Sequence, residues 1–132
     1  MKLLQVALAA SMAALVCCRG ESPPRTTNVE LSEGFSAAIG ARNHVMAALR
    51  KSGRWPASNA EADLLPPASY ATSRLSDLTV SAGGVVTVQF KSGARLRMAP
   101  DQHRLPVGAR WRCTTTRFEN PAAIVPCRPE SS

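Results

Sequence analysis

The hydrophobic period of this chain changes once, from about 3.6 residues between positions 28 and 52 to 2 residues between 75 and 113, and that order restricts the fold to a helix followed by a sheet. Thr27 and Glu30 stand at capping-box spacing ahead of the first segment. Leu31, Phe35, Ala38, Ile39, Val45, Met46 and Leu49 then recur at helical spacing, and on a helical projection they fall within roughly 120° of one another. Gly53 stops the pattern and Pro56 follows it. A helix over 28–52 would run about 38 Å. Gly34 and Gly40 each cost it about 1 kcal/mol relative to Ala, so it needs a surface to pack on. Arg42 lies near the centre of the stripe, where it snorkels past the core edge. His44 falls off the stripe and reads as a solvated side chain.

Past the helix the pattern turns to alternation. Residues 54–74 contain Pro56, Pro66 and Pro67, which prevent continuous regular structure. Trp55, Leu64, Leu65 and Tyr70 are the side chains expected to pin this loop to the domain. Four strands are predicted next: Leu75–Val80, Val85–Phe90, Arg95–Met98 and Arg110–Cys113. Gly83-Gly84 and Ser92-Gly93 supply short turns, which favour antiparallel hairpins. The expected fold class is α+β, with one long N-terminal helix packed on a four-stranded antiparallel sheet.

Ahead of the helix, Lys2 and the apolar stretch at 3–16 have the form of an export signal. Fourteen residues of helix span roughly 21 Å, short of the ~30 Å hydrocarbon core. Leu15-Val16-Cys17-Cys18 resembles a bacterial lipobox with Cys18 as the acylated residue; a soluble signal peptide is the alternative. The expected division is signal peptide or lipoprotein signal 1–18, linker 19–27 and globular domain 28–132. Export leads to an oxidising compartment, where Cys113 and Cys127 can pair instead of remaining free thiols. The bond would contribute on the order of 3 kcal/mol on the loop-entropy account.

The net charge is +7, and residues 91–128 hold +6 of it: Lys91 and seven Arg against Asp101 and Glu119. Alternation places Arg95 and Arg97 on one side of their strand and Leu96 and Met98 on the other. Arg110 and Arg112 likewise oppose Trp111 and Cys113. A helix covering the apolar side would leave Arg95, Arg97, Arg110 and Arg112 as one outward patch, solvated or holding DNA or another polyanion. No catalytic constellation, phosphate loop or zinc spacing is present, and Asp101 and His103 share a polar loop with no activated nucleophile implied. The expectation is a protein without enzymatic activity, metal, cofactor or small-molecule substrate.

The run Ser32-Glu33-Gly34-Phe35-Ser36-Ala37-Ala38-Ile39-Gly40-Ala41-Arg42, then Val45 and Gly53-Arg54-Trp55-Pro56, resembles the exposed half of a type IV pilin's first helix and the turn after it. Asp77-Leu78-Thr79-Val80, Gly84-Val85-Val86-Thr87-Val88-Gln89-Phe90 and Leu96-Arg97-Met98-Ala99-Pro100 resemble that family's strands. Trp111-Arg112-Cys113 with Val125-Pro126-Cys127 resembles its C-terminal disulfide loop. Pilins also carry a short basic leader, a Glu at the fifth mature position and a long apolar helix half. Here Ile39 stands where that Glu would follow Gly34-Phe35, and Gly40 to Arg42 break any apolar run. The resemblance implies a pilin-like envelope protein with pilus or pilin subunits as partners. Its expected role is adhesion or modulation of pilin assembly, not that of an ordinary major subunit. The alternatives are a DNA-capturing receptor and a structural surface lipoprotein touching the membrane only through a lipid anchor. The expected location is the periplasm, the outer membrane if lipidated, or the cell surface and pilus.

Overall fold

The computed structural model describes residues 27–101 and 110–130. The expected export signal, Cys18, the expected linker up to residue 26, and His103 lie outside them. Helix α1 spans Asn28–Ser52, as its sequence signals require. Thr27 has extended backbone, and its hydroxyl accepts a hydrogen bond from the Glu30 N–H at 3.3 Å. That bond satisfies one of the orphan donors of the first turn. At the other end Gly53 sits at φ 77° and donates its N–H to the Leu49 carbonyl. This left-handed conformation is open to Gly without steric cost.

The buried stripe of α1 is Leu31, Gly34, Ala38, Ala41, Val45 and Leu49. Phe35, Ile39 and Met46, expected in the stripe, are half-buried at its flank. The small residues at its centre let the helix sit close to the sheet. At Gly34 the approach is close enough that a Cβ there would overlap the Phe90 ring. Gly40, by contrast, is exposed and a Cβ there meets nothing within 4 Å. The two glycines therefore predict opposite outcomes in denaturant unfolding. Gly40→Ala raises stability by about 0.5–1 kcal/mol through helix propensity alone. Gly34→Ala gains the same propensity but overpacks the Phe90 contact, which costs about 1–3 kcal/mol, so it comes out neutral to destabilised.

Five strands form the sheet: β1 Leu75–Ser81, β2 Val85–Phe90, β3 Arg95–Pro100, β4 Trp111–Thr116 and β5 Arg128–Pro129. They lie in the order β1-β2-β3-β4-β5. The first four are antiparallel neighbours, and β5 runs parallel to β4. This corrects the four-stranded antiparallel expectation. The Cys113–Cys127 bond draws the chain after Cys127 alongside β4, where Arg128 pairs with Thr114 and Pro129 with Thr115. Two residues are too short to show a period.

One row crosses the sheet on its helix side: Leu78, Val88, Leu96 and Thr115 in register, all buried. Val80, Val86, Met98 and Cys113 continue that face. The opposite face is polar and open, as suits an antiparallel sheet covered on one side. The 54–74 loop packs against the domain through Trp55, Leu64 and Tyr70. Leu65 does not help to pin it. It is 62% exposed, and only its backbone is engaged, by Asn59 and the Tyr70 hydroxyl.

Candidate functional site

The loop closes the free edge of the sheet. The outer edge of β1 would otherwise offer unpaired N–H and C=O groups to any passing strand. Asn59, 6% exposed, occupies part of that edge with its side-chain amide. Its Nδ2 donates to the Leu78 carbonyl at 2.9 Å, and its Oδ1 accepts from the Val80 N–H at 2.6 Å. The same Nδ2 donates to the Leu65 carbonyl at 2.9 Å, tying edge and loop together.

The loop is also tied to α1. Glu33 accepts hydrogen bonds from the Thr72 hydroxyl at 2.7 Å and from Arg74 Nη1 at 3.1 Å. The Thr72 hydrogen bond, supplemented by Arg74's hydrogen bond and charge, holds the Glu33 carboxyl below the usual carboxylate range. A lowered folded pKa stabilises the fold at and above the ordinary Glu value, and that contribution disappears as pH falls through the folded value. Wild type should therefore lose more stability than Glu33→Gln when titrated below the ordinary Glu value of about 4.3. The difference should be about 1 kcal/mol or less, because the pair is solvent-accessible. Denaturant midpoints across that pH range provide the check.

The disulfide loop forms the other end of the sheet. Cys113 and Cys127 are bonded, with Cα atoms 4.6 Å apart. Phe118, within this loop, meets Phe90 edge-on at 5.5 Å between ring centroids. Trp55 and Trp111 meet in the same manner at 6.2 Å.

The arginines of the outer face do not all behave as alternation suggests. Strand register puts Arg95, Arg97 and Arg112 on the face away from α1, beside Gln89, Thr87 and Thr114. Arg95 is not a free cation, since its Nη2 lies 2.6 Å from Glu130 Oε2. Arg110 precedes β4 instead of starting it; it is exposed, and its carbonyl accepts from the Asp101 N–H at 2.7 Å. Arg128 joins the face from β5, exposed and in register with Thr114. Sequence alternation missed it because β5 has no period of its own. Among the described residues, no three His, Cys, Asp or Glu side chains are grouped to hold a metal, and no helix is long and apolar enough to cross a membrane. An open hollow of about 660 Å³ between α1 and the turn at 60–63 presents His44, Lys51, Glu61 and Asp63, with no Ser, Thr or Cys to act as a nucleophile.

The sequence model of one family, Pilin (bacterial filament), matches residues 29–128. The chain belongs to the pilin family. The matched range takes in all of this pilin's α1 but its first residue, the whole meander, the disulfide loop and the first residue of β5. No curated protein matches the chain. The pilin family is a structural, non-enzymatic one, and the surfaces of interest are accordingly those that meet other macromolecules.

Proposed function

We propose that this pilin acts in pilus-associated adhesion or in modulation of pilin assembly, by protein interaction, and not as an ordinary major filament subunit. The observation that carries this reading is the capped start of α1. In an ordinary pilin the exposed half of the first helix continues from a long apolar half. Here Thr27, in extended conformation and bonded to the Glu30 N–H, starts the helix at Asn28. The apolar stretch at 3–16 is separated from that start by a Pro-containing polar segment. The reading that follows is an exported head, soluble or lipidated at Cys18, that offers other pilins a family surface from the periplasm, outer membrane or pilus. The test joins two measurements in the native host. Affinity capture of the full chain from envelope extracts should recover pilin subunits, and deletion should change piliation or adhesion. Recovery of no pilus component, together with unchanged piliation and adhesion, would overturn the reading.

A further inference from the structure

The loop between α1 and β1 holds an apolar side chain out in water. Leu65 is the most exposed large apolar side chain among the described residues, at 62%. Its backbone is nevertheless fixed on both sides. Asn59 Nδ2 donates to its carbonyl, and its N–H donates to the Tyr70 hydroxyl, each at 2.9 Å. Pro66 and Pro67 follow it and restrict the chain further. The side chain is thus a rigid apolar knob. Beside it lies an open hollow of about 450 Å³, with Ala60, Leu64, Pro66, Pro67 and Val80 in its walls and no charged side chain among them. Leu64 and Pro66 flank Leu65 in sequence, so knob and hollow share one surface. An extended strand does not fit as the occupant, because Asn59 already takes the Val80 N–H and the Leu78 carbonyl at that edge.

We propose that this surface joins two copies of the chain about a two-fold axis, with the Leu65 of each filling the hollow of the other. A two-fold contact needs a self-complementary patch, and a knob next to its own hole is one. Each copy brings both halves of the fit. The chain carries a net charge of +7, so two copies repel wherever their charged surfaces meet. Residues 64–73 carry no charge, which lets this loop approach its own copy without that repulsion. Because the backbone of Leu65 is already held in place, little conformational freedom is lost on association. The loop at 58–70 is smaller than the roughly 20–30 residues a side of a standard interface, so the dimer should be weak and reversible. An isologous contact closes at two copies and does not propagate into a filament. The inference goes beyond the pilus reading and does not rest on it.

Sedimentation velocity of the exported protein across a dilution series tests this. Wild type should pass reversibly from dimer to monomer and form nothing larger. Leu65→Ala removes two buried leucines per dimer at about tenfold or more each, so the dissociation constant should rise about 100-fold or more. Thermal unfolding of the monomer should not change, because the Leu65 side chain is exposed and its backbone bonds remain. Ala60→Phe fills the hollow from within the same chain and should weaken the dimer although Leu65 is intact. Val29→Ala removes a comparably exposed apolar side chain from α1 and should leave the dimer unchanged. The proposal is overturned if wild type stays monomeric even at millimolar concentration, if association continues past two copies, or if Val29→Ala weakens it as much as Leu65→Ala. It is equally overturned if Leu65→Ala loses the dimer and Ala60→Phe keeps it, since the leucine would then be seated elsewhere.

Discussion

Cys113→Ser should lower the stability of the oxidised protein by about 2–5 kcal/mol, the usual effect of removing a native disulfide from a small exported domain. The bond closes a separation of 14 residues between the last long strand and the C-terminal segment. On the loop-entropy account a closure of that size is worth about 3 kcal/mol. The loss should exceed that figure because the bond also sets β5 in place. Without it, nothing covalent keeps Arg128 and Pro129 beside Thr114 and Thr115. The Glu130 N–H then loses its 2.7 Å bond to the Thr115 carbonyl, and Arg95 loses its partner. Denaturant unfolding with and without reductant gives the measurement. Thiol titration gives the companion result, no free thiol at either position in the exported protein.

Asn59→Ala should cost a comparable amount, about 2–5 kcal/mol. The substitution deletes three hydrogen bonds and fills the space with a methyl group. It leaves the Val80 N–H and the Leu78 carbonyl at a covered edge without their side-chain partner. Each buried group left unsatisfied costs about 1–3 kcal/mol. Asn59→Asp separates the roles: it keeps an acceptor for Val80 but sets a carboxylate against the Leu78 and Leu65 carbonyls, so it should also destabilise. Faster hydrogen exchange at the Val80 amide should accompany both changes. A newly opened edge also invites strand pairing between molecules, so Asn59→Ala should show concentration-dependent strand-paired association that wild type lacks. Equal stability and equal exchange in wild type and Asn59→Ala would show that the edge does not depend on this side chain.

These two expectations differ in how far the sequence foretold them. The disulfide was legible from the expectation of export and from two cysteines with no other plausible partner beyond Cys18. The helix was legible because its ends carry their own chemistry, Thr27 at the start and Gly53 at the stop, with an apolar stripe between. The side of the sheet facing α1 followed from alternation, which is why Arg97 and Arg112 were correctly turned outward. Asn59 was not legible. Asparagine in a proline-rich loop is ordinarily solvated, and its bonding partners lie 19 and 21 residues further along. Glu130 is 35 residues from Arg95, so local pattern could not show that this arginine is already neutralised. Arg128 entered the face only through a two-residue parallel strand created by the disulfide. In each case the missing information was a long-range contact at an edge of the sheet, where no periodic signal exists.

The proposal that this pilin is not an ordinary major subunit rests on a head whose first helix begins at its own cap. Mass spectrometry of the mature N-terminus in the native envelope tests it most directly. The account predicts a chain from which residues 3–16 have been removed, beginning at an acylated Cys18 or at an unmodified residue between the apolar stretch and Thr27. A mature protein that retains the apolar stretch at 3–16 would contradict it.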